Sequence, residues 1–263
     1  MIKNNFKRSA VILCGGKGTR LGLIGKKIPK SLVQIHIYPI IWYILKVLKK
    51  NSFNHFILPA GYKSQMLKRY LKNNRDFKDF NIEIIDTGLN TQIAKRIFLI
   101  KEKILSENFL LLNGDAIFDF NLKKIFDDHE GKKKDITYIG CENQLPYGTV
   151  GILNNKIISF DRDINFNAVK KKNNKNFTAY VYSGMSVMNK KILKINFRDY
   201  ENFEKKLYPK LIKKMDCNFF NLDGFWHSVD NTKDIEAVKK NNNKKKYNGI
   251  RKILKNLSKK NNS

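Results

Sequence analysis

Short apolar runs alternate along the chain with stretches in which apolar side chains recur every third or fourth position. Residues 9–14 (SAVILC) form a brief run rich in β-branched side chains that stops at Gly15-Gly16. That is the pattern of a strand buried on both faces of a parallel sheet. Residues 39–50 (PIIWYILKVLKK) have helical spacing, with proline at the start and lysines at the end. The alternation continues, with strands expected over 53–58, 81–85, 108–112 and 135–141 and helices over 62–72, 93–105 and 122–129. Such alternation predicts an α/β fold with a doubly wound, mostly parallel sheet. The pattern then changes. Residues 147–160 read as a hairpin with Asn154-Asn155 at its turn, 161–177 as polar and irregular, and 178–188 as a long strand. A helix over 201–215, a strand over 218–222 and a helix over 232–240 follow. One domain over 9–240 is expected, with a first part over 9–142, a small β-rich insertion over 143–230, and a tail over 241–263.

The chain has 263 residues, 42% of them hydrophobic and 12% aromatic, enough apolar material for a core and against global disorder. Lys and Arg total 52 against 23 Asp and Glu, a formal charge of +29. A surplus of that size invites a nucleic-acid or membrane-surface reading. The basic residue is nearly always Lys, however, and it keeps company with Asn, as in Asn173-Asn174-Lys175-Asn176. An AT-biased coding composition produces that pairing and calls for no nucleic-acid partner. From Lys239 onward the chain carries ten basic residues and no acid, and Ile250, Ile253, Leu254 and Leu257 recur there at helical spacing. Cys14, Cys141 and Cys217 are odd in number and widely spaced, so neither a disulfide framework nor structural zinc is expected. The four histidines (His36, His55, His129, His227) show no ligand spacing. No stretch is long enough for a membrane span, and the N-terminal residues lack a signal-like apolar core, so a cytoplasmic location is expected.

Four motifs carry candidate chemistry. The first is Leu13-Cys14-Gly15-Gly16-Lys17-Gly18-Thr19-Arg20-Leu21. A glycine-rich turn after the first strand of a parallel sheet sits at the carboxyl edge, where its N–H groups can approach phosphate oxygens. It is not a Walker A loop, which needs glycine where Arg20 stands, nor a dinucleotide fingerprint, which needs one at Leu21. The second is Ile28-Pro29-Lys30-Ser31-Leu32, whose Lys30 is near enough in sequence to share an anion with Arg20. The third is Leu112-Asn113-Gly114-Asp115, which ends the fourth strand with a carboxylate suited to Mg²⁺ and phosphate. The fourth is the segment 225–232 (FWHSVDNT), where Asp230 is either a second metal ligand or the N-cap of the helix that follows.

With these motifs together, the chain resembles the sugar-1-phosphate nucleotidyltransferases (nucleotide-sugar pyrophosphorylases) over roughly 9–240, and among them the glucose-1-phosphate cytidylyltransferase group. The opening motif is similar to that family's GGxGTRL signature. Asp86-Thr87-Gly88 with Arg96-Ile97, Ala60-Gly61-Tyr62-Lys63, and Trp226 with an acid four residues later resemble the cytidylyltransferase pattern. The resemblance implies a Rossmann-like, GT-A-like fold whose first part binds nucleotide and whose insertion binds sugar phosphate. It also implies transfer of a nucleoside monophosphate from an NTP, with CTP favoured, to a hexose 1-phosphate, with glucose 1-phosphate favoured. The products would be an NDP-sugar for cell-surface polysaccharide (lipopolysaccharide O-antigen) synthesis and pyrophosphate. Arg20 and Lys30 would be catalytic. Leu13, Gly15, Gly16, Gly18, Thr19, Arg96 and Gly114 would bind nucleotide, and Gly148, Arg162 and Gly184 the sugar phosphate. Asp115 and Asp230 would hold Mg²⁺, and a homo-oligomer is expected.

Two departures bear on specificity. Ala94 and Lys95 stand before Arg96 where the family usually keeps glycines, so side chains are expected to replace bare backbone near the base. Arg162 stands where the family usually keeps the lysine of Glu-Lys-Pro, and a planar fork does not replace a point charge. Two alternatives stay open. One is a guanylyl- or other nucleotidyltransferase acting on mannose or heptose 1-phosphate; the other is a non-catalytic relative that binds nucleotide or sugar phosphate.

Overall fold

The structure, a computed structural model, describes residues 8–141, 143–144, 149–161, 165–166, 168–172, 175–195 and 202–239. Its strands of five or more residues are β1 (Ser9–Leu13), β2 (His55–Ala60), β3 (Ile82–Asp86), β4 (Asn108–Asn113), β5 (Ala116–Phe120), β6 (Ile136–Cys141) and β7 (Thr149–Leu153). They continue with β8 (Lys156–Asp161), β9 (Ala168–Lys172), β10 (Lys175–Ala179), β11 (Val181–Asn189), β12 (Cys217–Asn221) and β13 (Gly224–Ser228). The α-helices are α1 (Leu23–Lys27), α2 (Ile40–Lys50), α3 (Ser64–Asn73), α4 (Ile93–Ile100), α5 (Leu122–Gly131), α6 (Tyr208–Lys214) and α7 (Thr232–Lys239).

A seven-stranded sheet runs β12-β6-β11-β4-β1-β2-β3. β1 pairs in parallel with both β2 and β4, β2 with β3, and β12 with β6. Only β11 runs against its two neighbours. The strand period of two explains the layering. Ala10 and Ile12 of β1 face one core with Phe56, Leu58, Leu110 and Leu112, while Val11 faces the other with Ile57, Phe109 and Leu111. Helices cover both faces. Buried side chains of α2, α3 and α5 pack into the first core, and Ala94, Ile97 and Ile100 of α4 into the second. The sheet is thus doubly wound, as the alternation of patterns predicts.

The chain leaves β1 toward β2 and β3, then returns to β4 on the other side of β1. The order reverses between β1 and β4, and in open α/β sheets the crevice beyond the strand carboxyl ends at such a reversal is the ligand site.

Several local expectations need correction. The 161–177 stretch contains an antiparallel hairpin, β9 with β10, where its Lys- and Asn-rich composition reads as irregular. The single strand expected over 178–188 is two, with β10 ending at Ala179 and β11 starting at Val181. β5 was not expected; it pairs with β13, more than a hundred residues later. The sheet also draws on both sides of residue 142, because β11 and β12 return to it. The hairpin of β7 and β8 turns at Asn154-Asn155, both in the left-handed region. No helix among the described residues is long and apolar enough to cross a membrane. The tail over 241–263 lies outside the described residues.

Candidate active site

The segment after β1 is shaped by its glycines. Gly18 has φ +61°, a conformation that costs a side chain energy, and it opens a single helical turn over Thr19–Leu21. Leu21 is buried and anchors that turn, while the Arg20 side chain is 75% exposed beside it. A Cβ at Gly18 would meet the Lys30 Cβ at 3.3 Å, so the stem of Lys30 runs directly under the loop. Gly114, after β4, donates its N–H to the Leu13 carbonyl at 3.1 Å. A side chain there would strike the Leu13 oxygen at 2.7 Å and the Cys14 sulfur at 2.9 Å. The turn after β4 can therefore lie against the end of β1 because residue 114 is glycine.

Asp115 and Asp230 are brought together by the β5–β13 ladder. Ser228 pairs with Ala116, and the Val229 N–H donates to the Asp115 carbonyl at 2.9 Å. Lys30 Nζ donates to Asp115 Oδ2 at 2.7 Å and to Asp230 Oδ1 at 2.9 Å. Arg20 pairs with the same Asp230 oxygen at 3.0 Å, and the Ser228 hydroxyl donates to its other oxygen at 2.7 Å. Burial works to raise the Asp230 carboxyl. The hydrogen bonds from Lys30 and Ser228, with the charges of Lys30 and Arg20, outweigh it and hold the group below the usual carboxylate range. Asp230 is not the N-cap of α7. Asn231 is: its side chain accepts from the Asp234 N–H at 3.1 Å, and Asp234 accepts from the N–H groups of Asp230 and Asn231. The cap thus fixes the backbone of Asp230 and leaves its carboxylate free to face Lys30.

Among the described residues no group of three or more His, Cys, Asp or Glu side chains is placed to hold a metal ion. Two carboxylates converging on one cationic atom still fit a hard divalent ion such as Mg²⁺. Such an ion is commonly bound by one or two carboxylates and keeps water or phosphate oxygens for the rest.

Beside this cluster a cleft of about 470 Å³ is lined by residues 13–17, 30–31, 89–93, 96 and 113–115. Leu13, Gly15, Gly16, Lys30, Gly114 and Asp115 thus share one cavity at the β1/β4 reversal. Gly16 is exposed, with open space where a Cβ would project. Arg96 is only 4% exposed. Its guanidinium donates to the Ala60 carbonyl at 2.9 Å, to the Gly15 carbonyl at 3.2 Å and to the Thr87 hydroxyl. It therefore ties together the ends of β1 and β2 and the turn after β3. Burial lowers its pKa, with Asp86 acting in the opposite direction. Burial likewise pushes the Cys14 thiol up to about 12.

The expectation about Ala94 and Lys95 is corrected. Ala94 is fully buried in the second core and Lys95 is exposed; neither lines the cleft, because α4 turns Ala94 toward the sheet. The segment 89–93 lines it instead. Gly184 lies in β11 where the register shifts, with φ +75°, and a Cβ there would meet the Asn113 amide at 2.6 Å. A small adjoining cavity is lined by Gly184, Asn113, Tyr182 and Tyr208. Gly148 and Arg162 lie outside the described residues.

Asn113, which stands within the third motif, lines both cavities. Ser228 and Lys63 also serve the site without any sequence signal for their contacts. Lys63 donates to the carbonyls of Lys26 and Lys27 at 2.8 and 2.7 Å, fixing the end of the segment between Arg20 and Lys30. Nothing in a lysine after Gly61-Tyr62 signals that contact. His55 and His129 sit elsewhere, bonded to Ser9 and Glu83 and to Thr137.

The nucleotidyl transferase family profile matches residues 9–245. A Bacillus subtilis relative named "Probable glucose-1-phosphate cytidylyltransferase" is 29% identical over 251 residues, covering 88% of this chain and 94% of its own length. A D-glycero-alpha-D-manno-heptose 1-phosphate guanylyltransferase of Aneurinibacillus thermoaerophilus is 33% identical over 154 residues, covering 57% of this chain and 66% of its own. The crystal structure of HddC from Yersinia pseudotuberculosis complexed with GMP-PN superposes with a TM-score of 0.64 at 21% identity. It covers 87% of this chain and 96% of the other, a likeness of fold.

Proposed function

The chain belongs to the nucleotidyl transferase family, and we propose that it transfers a nucleoside monophosphate from CTP to glucose 1-phosphate, releasing pyrophosphate. The observation that carries this reading is the ion-paired cluster of Arg20, Lys30, Asp115 and Asp230, of which Lys30 and Asp115 line the glycine-rich cleft. A phosphate oxygen of the sugar phosphate attacks the α-phosphorus, the α–β bridging bond breaks, and its electrons leave with pyrophosphate. The reaction needs no protein nucleophile. It needs two polyanions held together and charge spread over the departing group.

The backbone at Gly15 and Gly16 and the turn at Gly18-Thr19 receive the triphosphate, with Leu13 and Gly114 forming the floor. Arg20 and Lys30 neutralise it and steady the leaving pyrophosphate. Arg96 keeps the Gly15 carbonyl in place under the nucleotide. Gly184 makes room for the Asn113 amide, which borders the cleft where the sugar would lie. Asp115 and Asp230 would hold Mg²⁺, which when bound supplies charge neutralisation between attacking and leaving oxygens. CTP and glucose 1-phosphate are favoured by the Asp86-Thr87-Gly88 turn with Arg96 and by the relative named above.

The guanylyltransferase relative favours a second reading, GTP with mannose or heptose 1-phosphate. Pyrophosphate release measured for each nucleoside triphosphate against glucose, mannose and heptose 1-phosphates separates the two. Turnover with CTP and glucose 1-phosphate above every other pair is expected, and absence of turnover with every pair would overturn the proposal.

A further inference from the structure

The Lys30 ammonium lies between the two carboxylates that the reaction needs for another purpose. It takes Asp115 Oδ2 at 2.7 Å and Asp230 Oδ1 at 2.9 Å, and Arg20 adds a second cation on that Asp230 oxygen. A divalent ion coordinates carboxylate oxygens at roughly 2.0–2.1 Å for Mg²⁺. An ammonium on Asp115 Oδ2 and Asp230 Oδ1 competes with such an ion for those oxygens and opposes its charge. The Lys30 side chain is only 14% exposed and its stem packs under Gly18. The ammonium can therefore swing on its outer torsions, but it cannot drift off into solvent. Two carboxylates facing two cations also form a closed set, with no net negative charge left to attract a metal. The same ammonium borders the glycine-lined cleft, where a triphosphate would offer it another anion.

We propose that Lys30, aided by Arg20, is a built-in counter-ion that occupies the Asp115–Asp230 pair until nucleotide draws it away, so that the free protein resists divalent metal. This rests on the reading of Asp115 and Asp230 as metal ligands. Metal and nucleotide then bind cooperatively, and by linkage each raises the affinity for the other.

Mn²⁺ binding to the full chain without nucleotide, followed by the loss of the free-ion electron paramagnetic resonance signal, tests this. Lys30→Met should bind Mn²⁺ about tenfold or more tightly than the unmodified protein. Lys30→Arg, which keeps the cation, should bind as weakly as the unmodified protein and shows that the site tolerates substitution. Adding Asp115→Asn to Lys30→Met should abolish the gain. Equal or weaker binding by Lys30→Met, with binding still dependent on Asp115, overturns the counter-ion role and leaves the metal site standing. Absence of Mn²⁺ binding in every variant, with and without CTP, overturns both.

Discussion

Gly15 and Gly16 are neighbours in one motif, yet replacing each with alanine should have opposite consequences. Neither has a positive φ, so alanine strains neither backbone. At Gly15 a Cβ would overlap the Arg96 guanidinium; at Gly16 no heavy atom lies within 4 Å. Arg96 is 4% exposed and donates to Ala60 at 2.9 Å, to Gly15 at 3.2 Å and to Thr87. Moving it forfeits at least one charge-assisted hydrogen bond of about 1.5–3 kcal/mol, although the Ala60 carbonyl keeps its bonds from Thr87 and the Gly15 carbonyl its bond from the Tyr62 N–H. The lower entropy of an unfolded chain with alanine returns about 0.4–1 kcal/mol. The net loss for Gly15→Ala is about 2 kcal/mol, a fall of roughly 4–8 °C in the unfolding midpoint for a chain of this size. Gly16→Ala should leave the midpoint unchanged or slightly raised, while its methyl intrudes on the cleft and weakens nucleotide binding. Thermal unfolding by circular dichroism and nucleotide KM check the pair. Equal midpoints for Gly15→Ala and Gly16→Ala would refute the bracing role of Arg96.

Three further outcomes follow from the structure. Asp115→Ala should lower kcat/KM by about a hundredfold or more, the scale of losing one preorganised electrostatic group, in a steady-state pyrophosphate assay. Cys14, with its thiol raised to about 12 by burial, should be alkylated by iodoacetamide at pH 8 about a thousandfold more slowly than a free thiol; peptide mass spectrometry after timed quenching reads this. Burial tends to raise the Asp135 carboxyl, but hydrogen bonds from Lys191 and the Asp216 N–H win and depress it. A depressed folded pKa adds stability above the unfolded value near 3.9 and loses it as pH falls through the folded value. Urea unfolding of Asp135→Asn should therefore show lower stability at neutral pH and a shallower decline below about pH 4.

The centre of the sheet was legible because β1, β2 and β4 are short, largely apolar runs and the covering helices have a period of their own. β5 was not, since its five residues follow Asp115 directly and their partner, β13, is distant in the chain. The 161–177 stretch misled for the opposite reason: its Lys and Asn composition reads as loop while its backbone forms a hairpin ladder. The glycine loop, Lys30 and Asp115 could be read from motif and position at the sheet edge. The Arg96 contacts could not, because their acceptors come from the ends of β1 and β2 and the turn after β3. The same holds for the separation of Asp230 from the capping role of Asn231. Ala94 and Lys95 show how a motif comparison fails when helical phase is ignored, since one turn of α4 sends them into the core and the solvent instead of the cleft.

A competition among nucleotides tests the proposed CTP-dependent transfer. The protein is incubated with Mg²⁺, glucose 1-phosphate and equal concentrations of ATP, CTP, GTP and UTP, and nucleotide-sugar products are resolved by mass spectrometry. CDP-glucose is expected as the dominant product, formed with stoichiometric pyrophosphate and lost in Asp115→Ala. Absence of any nucleotide sugar, here and with mannose or heptose 1-phosphate in place of glucose 1-phosphate, would contradict it.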